Sequence, residues 1–124
     1  MSPTATATNV EQLDKQLNDD ILAGKIMDAF EKYYADDVVM QENSEDPRVG
    51  KAANRKAEEE FMSSVEAFHS ASVKASAVNG DVSFSEWEMD ITFRGGKRAK
   101  FNQVAVRHWK NGKIAHERFF YNKG

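Results

Sequence analysis

Three glycine-containing pairs divide the second half of the chain, and they constrain its fold more than any other feature. The pairs are Asn79-Gly80, Gly95-Gly96 and Asn111-Gly112, and they separate segments rich in Val, Phe, Trp, Ile and Thr at about 69–78, 82–93, 99–109 and 114–121. Glycine supplies the positive φ that tight hairpin turns require. The sequence therefore predicts three consecutive hairpins, which form an antiparallel meander.

Apolar residues in the first half recur at helical spacing. An amphipathic helix is predicted between a capping box of Thr8 and Glu11 and a stop at Gly24, with apolar positions Val10, Leu13, Leu17 and Ile21. A second, short helix with an aromatic end is marked by Ile26, Phe30, Tyr33 and Tyr34. A third helix, predicted to be the longest, follows Gly50 and is marked by Ala53, Ala57, Phe61, Val65 and Phe68.

A short strand is predicted between the second and third helices. The stretch Ala35-Asp36-Asp37 breaks the helical pattern, and Val38-Val39-Met40 then indicates a strand that leads to Glu42. An irregular loop follows at 44–50 because proline disfavours the helical region for the residue before it. Together these patterns predict an α+β fold in which helices cover one face of a bent meander and enclose a conical cavity.

The composition bounds the fold and its partners. The chain has 124 residues, which is the usual size of one domain, and we expect a flexible tail at 1–9 followed by a domain at 10–124. A net charge of −3 gives no field that favours a phosphate backbone or an anionic membrane, so neither nucleic acid nor membrane is expected as a partner. Since no export signal or transmembrane span is visible, we expect a cytoplasmic protein.

The order of elements resembles the nuclear transport factor 2-like (NTF2-like) superfamily, and within it the SnoaL-like group. The residues that carry the resemblance are 34–39, Gly50 at the start of a long helix, and the closing hairpin at 109–114. The resemblance implies three N-terminal helices packed on a strongly curved antiparallel sheet that forms a cone-shaped barrel. It also implies an apolar pocket and a homodimer formed through the outer sheet face. Members include isomerases, polyketide cyclases, epoxide hydrolases and non-catalytic domains.

The resemblance places the general base of the isomerases at Glu42. This residue has the same strand parity as Val38 and Met40, so its carboxylate is expected to project into an apolar interior, where desolvation raises the pKa. The alternative is a glutamate that only caps the loop or the third helix.

Other functional positions of the family are not matched. The oxyanion-binding tyrosine of the isomerases corresponds to Leu17 or Asn18, and their protonated aspartate corresponds to Ala105. The acid of the cyclases corresponds to Phe119. Because the loss of one oxyanion donor typically costs about a hundredfold to a thousandfold in rate, we do not expect steroid isomerisation by the same geometry.

The last hairpin offers two registers. A three-residue loop places Ala105 opposite Glu117 and turns Glu117, Phe119 and Tyr121 inward, beside Arg107 and Gln103. A two-residue turn places Arg107 opposite His116 and turns His116, Arg118 and Phe120 inward. We favour the first register because it preserves the facing pair of the family. The alternative to a catalytic role is a structural one, in which Arg107 and Glu117 form an ion pair that only orders the mouth of the barrel.

Six residues are predicted to bind a small apolar or aromatic molecule: Tyr34, Phe61, Trp87, Met89, Gln103 and Tyr121. Ordinary core packing is the alternative for most of them. The run Glu58-Glu59-Glu60 is interpreted as the solvated face of the third helix. The three histidines lack metal-ligand spacing and no phosphate-binding loop is present, so we expect neither a metal nor a cofactor.

Two functions remain open. The first is a cofactor-independent isomerase, cyclase or lyase in which Glu42 transfers a proton beside a carbonyl group, while Gln103 and Arg107 stabilise the oxyanion. Glu117 joins Glu42 and Arg107 as a predicted catalytic residue. The second is a non-catalytic ligand-binding or dimerisation module. Apolar residues expected on the outer sheet face predict a homodimer in either case: Val104, Val106 and Phe120.

Overall fold

The computed structural model describes residues 3–122, with side chains from residue 9 onward. Its three helices are α1 (Pro3–Leu22), α2 (Ile26–Tyr33) and α3 (Lys51–Ser64). Its six strands are β1 (Tyr34–Glu42), β2 (Arg48–Val49), β3 (Val65–Asn79), β4 (Val82–Phe93), β5 (Arg98–Lys110) and β6 (Lys113–Tyr121). Within this part of the chain, no helix combines the length and the apolar character needed to cross a lipid bilayer.

The strands form one curved sheet in the order β2-β1-β6-β5-β4-β3. The predicted α+β class and the three hairpins are confirmed, but a fully antiparallel barrel is wrong in two respects. Strand β1 runs parallel to β6, which is feasible because helix α3 and the whole meander separate the two strands in sequence. The sheet also remains open, since its two edge strands β2 and β3 do not pair.

The helices do not all precede the sheet, because α3 follows β1 and β2. Helix α1 begins at Pro3, so it includes residues 3–9 of the predicted tail, and Thr8 lies inside the helix instead of capping it. Proline is well tolerated in the first turn of a helix, where its missing N–H has no partner to lose. With 20 residues, α1 and not α3 is the longest helix.

Helix α3 is shorter than predicted. It ends at Ser64, and Val65 and Phe68 belong to β3. The backbone carbonyl of Ser64 accepts a hydrogen bond from the Arg94 N–H (2.8 Å), so pairing with the neighbouring hairpin begins where the helix ends. Strand β1 is longer than predicted, because Tyr34 already pairs with Ile114.

The register of the last hairpin differs from both predicted alternatives. The turn has two residues, Asn111-Gly112, and Lys110 pairs with Lys113. A bulge then inserts one extra residue in β6, so Arg107 lies opposite Glu117, and neither Ala105–Glu117 nor Arg107–His116 is a pair. Because one inserted residue reverses the parity of a strand, Glu117 shares the inner face with Arg107, as the favoured register predicted.

Asn54 fixes the start of α3 against β1 and β2. Its side chain is fully buried, and Nδ2 donates to the carbonyl oxygens of Gly50 (2.8 Å), Arg48 (3.0 Å) and Val38 (3.3 Å). Gly50 precedes the helix with a φ of 96°, a conformation that side chains with a Cβ rarely adopt. This junction sets where α3 crosses the open side of the sheet.

Candidate active-site cavity

A cavity of about 590 Å³ lies between the inner face of the sheet and the three helices. Most of its wall is apolar: Leu17, Ile21, Leu22, Ile26, Phe30, Ala57, Phe61, Met62, Phe68, Ala71, Trp87, Met89 and Phe119. A smaller set of polar side chains faces the same space: Tyr34, Glu42, Arg48, Glu58, Ser70, Gln103, Arg107 and Glu117. An apolar hollow with a few convergent polar groups is the usual form of a small-molecule site.

The structure brings most of the predicted site residues together. Eight of them line the cavity: Glu42, Arg107, Glu117, Tyr34, Phe61, Trp87, Met89 and Gln103. Tyr121 does not line it, but its hydroxyl donates to Glu42 Oε1 at 3.1 Å. Their roles in binding and catalysis stay predictions.

Glu42 sits at the end of β1 with two donors on its carboxylate. Arg48 Nη1 donates to Oε2 at 2.7 Å, and the Tyr121 hydroxyl donates to Oε1. Burial and the neighbouring Glu42 carboxylate raise the pKa of Tyr121 to about 12, so this hydroxyl keeps its proton. Glu42 therefore lines the cavity, and through Arg48 it also holds the short strand β2 at the rim of the cavity.

Arg107 is the centre of a buried ionic cluster. Its Nε donates to Glu117 Oε2 (2.7 Å), and its Nη1 donates to Asp14 Oδ1 (2.8 Å) and Asn18 Oδ1 (2.7 Å). The Tyr34 hydroxyl donates to Glu117 Oε1 (2.6 Å). The side chains of Arg107, Asp14 and Glu117 are at most 4% exposed. The predicted pairing of Arg107 with Glu117 is thus a fully desolvated contact, not one at an exposed rim.

Further hydrogen bonds tie this cluster to strand β4. Ser83 Oγ donates to Asp14 Oδ1 (2.7 Å), and Asn18 Nδ2 donates to Ser85 Oγ (3.0 Å). The indole N–H of Trp109 donates to Ser83 Oγ (2.9 Å). Helix α1 is therefore held on the sheet by polar contacts as well as by its apolar stripe.

Asp14 and Asn18 were not predicted as members of the site, although the sequence contains a signal for them. They follow Val10 by four and eight residues, so they share a helix face with the buried Val10 and Leu17. Polar residues inside an apolar stripe need partners when they are buried. The structure supplies these partners from β4 and β5.

Two carboxylates surround one guanidinium in the cluster, and their charges shift the pKa values of the groups in contact with them. Burial disfavours the charged form of Arg107, but Glu117, Tyr34 and Asp14 outweigh it and raise the pKa of Arg107 above its usual value. Burial and the Glu117 carboxylate together raise the pKa of Tyr34 well above its usual value. Both groups therefore act as hydrogen-bond donors.

Glu58 is the main correction to the predicted site. The interpretation of Glu58 as a solvated residue is wrong, because it is partly buried in the cavity wall, whereas Glu59 and Glu60 are exposed. Burial and the Glu117 carboxylate raise the pKa of Glu58 to about 7, with a smaller contribution from Glu42 and opposition from Arg48. The missed signal was that Glu58 lies four residues after Asn54 and three before Phe61, on one helix face.

Comparison with known proteins identifies the family of the chain. A family profile described as the SnoaL-like domain matches residues 8–121. The chain belongs to the SnoaL-like domain family. No curated protein sequence matches this SnoaL-like domain.

Solved structures share the fold of this SnoaL-like domain. A provisionally named SnoaL-like polyketide cyclase from Mesorhizobium loti is 32% identical, with a TM-score of 0.82 over 90% of this chain and 98% of that one. A second protein of that provisional name, from Jannaschia sp. CCS1, is 14% identical, with a TM-score of 0.81 over 98% and 90% of the two chains. An LEH-like epoxide hydrolase from M. tuberculosis is 15% identical, with a TM-score of 0.76 over 94% and 84%.

Replacing Arg107 by methionine should strongly destabilise this SnoaL-like domain. The change leaves two buried carboxylates without their cation, which typically costs about 3–5 kcal/mol. The control is Arg55→Met, which breaks an exposed ion pair with Glu31 and should destabilise the protein much less, because solvent screens exposed charges. Urea unfolding at pH 7 measures both values, and equal losses in the two variants would contradict the importance of the buried cluster.

Glu58→Gln should increase stability, but only at higher pH. The folded pKa of about 7 exceeds the ordinary value of 4.5, so the wild type is destabilised as pH rises from 4.5 through 7, where the folded state must ionise Glu58. The two proteins should be similarly stable at pH 4.5. At pH 8 the variant should be more stable by about 1–3 kcal/mol. Urea unfolding between pH 4.5 and pH 8 measures this difference in stability. The control is the exposed variant Glu59→Gln, whose stability should follow that of the wild type at every pH.

Proposed function

We propose that this SnoaL-like domain is a cofactor-independent isomerase, cyclase or lyase that moves a proton on a hydrophobic carbonyl compound. The observation that carries the proposal is the combination of a largely apolar cavity with cavity-facing carboxylates and nearby hydrogen-bond donors. The transfer of a proton between a carbon atom and a carboxylate is not an oxidation or a reduction, so it needs no redox cofactor. The chain's own residues therefore suffice for this chemistry.

The reaction begins when a carboxylate removes a proton from the carbon beside the carbonyl group. The electron pair of the broken C–H bond forms a C=C bond, and the carbonyl electrons move onto oxygen. Gln103 and Arg107 are the proposed donors to that oxyanion, and both line the cavity. Among the side chains that the structure describes, the hydrogen bonds of the cluster use Nε and Nη1 of Arg107, and Nη2 is the proposed donor to the ligand.

The related structures support this range of reactions without selecting one. Their names include polyketide cyclase, isomerase and epoxide hydrolase, which shows that one fold is associated with several activities. A fold does not by itself determine a reaction. The proposal for this chain therefore rests on its cavity and on the groups that face it.

The protein should catalyse the exchange of hydrogen for deuterium beside the carbonyl group of hydrophobic ketones. In D₂O, ¹H NMR of 2-tetralone and 2-decanone should show exchange at least about tenfold faster than in buffer alone. Ala71→Trp fills part of the cavity and should abolish the acceleration. Ala75→Trp, on the same strand but outside the cavity wall, should retain it. Equal rates with and without wild-type protein for both ketones would refute the proposed function.

We also propose that the protein forms a homodimer through the outer face of the sheet. Three large apolar side chains on this face are 36–42% exposed: Phe84, Val104 and Phe120. Val104 pairs directly with Phe120, and Phe84 pairs with Val106, so these residues form one continuous patch across β4, β5 and β6. Burial of such a patch against a second copy removes apolar surface from water.

Sedimentation at micromolar concentration should show a species of twice 14.0 kDa. Phe120→Glu places a charge in the patch and should yield the monomer. Val49→Glu changes an apolar residue that is 69% exposed on β2, away from the patch, and should leave the dimer intact. A wild-type protein that sediments only at 14.0 kDa would contradict the proposed dimer.

A further inference from the structure

Two cavity carboxylates differ in their partners. Glu42 accepts hydrogen bonds from Arg48 and Tyr121. Glu58 accepts none from any described residue between 3 and 122, although it lines the same cavity. A carboxylate already engaged by a guanidinium and a hydroxyl must give up those contacts to take a proton. A carboxylate without donors loses no such contacts.

The surroundings of Glu58 also favour proton uptake. Around it lie Glu117 from β6, Glu42 from β1, Arg48 from β2 and, beyond Glu117, the Tyr34 hydroxyl. Arg48 is the one cation among these groups, and it is already paired with Glu42. Arg107 is similarly paired with Glu117 and Asp14. The net effect of these charges on Glu58 is therefore negative, and it favours the protonated carboxyl group.

We propose that Glu58, and not Glu42, is the carboxylate that carries the proton in this cavity. This inference rests on the proposed function and names the residue that performs it. The family resemblance pointed to β1 for the base, whereas the hydrogen bonding points to Glu58 on α3, the helix that packs against β1. A group with a pKa near 7 takes and returns a proton efficiently at neutral pH.

The step balances with the substrate and Glu58 alone. The ionised carboxylate removes a proton from the carbon beside the carbonyl group, and the C–H electron pair becomes the new C=C bond of an enolate. The protonated Glu58 then returns the same proton to a different carbon of the conjugated system, and the carbonyl group re-forms. The product is an isomer, and Glu58 is ionised again.

Glu42 becomes a positioning residue in this scheme. It holds Arg48 and the Tyr121 hydroxyl at the rim, and its negative charge helps to raise the pKa of Glu58. Loss of that charge also frees Arg48, and both changes favour the ionised form of Glu58. A variant at Glu42 should therefore shift the pH at which the base becomes active, and should not remove the base.

The test uses 5-nitrobenzisoxazole, a flat apolar probe whose ring opens when a base removes its carbon-bound proton. The base takes the proton, the C–H electrons form a nitrile, and the N–O bond breaks to release a coloured phenoxide. With wild-type protein, kcat/KM should rise with pH with a midpoint near 7. Glu58→Gln should lower the value at pH 8 by at least about tenfold and remove the rise.

Two glutamine variants provide the matched controls. Exposed Glu59→Gln, one residue away on α3, should behave as the wild type. Glu42→Gln should keep the rise but move its midpoint to lower pH, which a merely structural role of Glu42 does not predict. Near-UV circular dichroism establishes that each variant is folded. ¹³C NMR of the glutamate carboxyl carbons, assigned by loss of one signal in Glu58→Gln, should give a titration midpoint near that of the rate.

Two results would overturn the inference. If Glu42→Gln removes the pH-dependent rise and Glu58→Gln keeps it, Glu42 is the proton carrier, and the proposed function stands without this assignment. If the wild type is no faster than an equal concentration of acetate, Glu58 is not a reactive base. The ketone exchange measured with Ala71→Trp reports separately on the cavity, so failure of the inference and failure of the proposed function are distinguishable.

Discussion

Arg107 lies fully buried between Asp14 and Glu117, and the packing of α1 on the sheet depends on this contact. A guanidinium in an apolar interior is tolerated only when carboxylates and other acceptors surround it. Those acceptors come from α1 and β6, so the cluster joins elements that are far apart in sequence. Because it holds one cation and two carboxylates, it also places negative charge at the inner end of the cavity.

The negative charge of the cluster also affects the carboxyl group that we propose as the base. Burial is the largest cause of the raised pKa of Glu58 on α3, and Glu117, a member of the cluster, is the strongest charged influence on it. The burial comes from the largely apolar cavity wall, which disfavours the charged form of the carboxyl group. At the rim, Arg48 forms its ion pair with Glu42 and opposes the rise in the pKa of Glu58 only in part. Two glutamates in one cavity are thereby given different environments, which is a common way to separate their roles.

Local patterns predicted much of the framework. The glycine pairs predicted the three hairpins because glycine adopts the positive φ of a tight turn without a steric cost. The positions of Glu42 and Arg107 in the cavity wall follow from strand parity, whereas the position of Glu117 depended also on the register of the last hairpin. Glu58 was missed because three consecutive glutamates suggest a solvated surface. Which of them meets the cavity depends on where Asn54 fixes the rotation of α3.

The sequence by itself determined the order and type of the elements, the positions of the hairpins and many of the inward-facing side chains, since these depend on residue conformation and on periodicities of 2 and 3.6. The tertiary structure decided how those elements met. It joined β1 to β6 in parallel, left the sheet open, and inserted one bulged residue that set Arg107 against Glu117. It also decided the protonation of Glu58, because burial and the field of distant carboxylates exist only after the chain has folded.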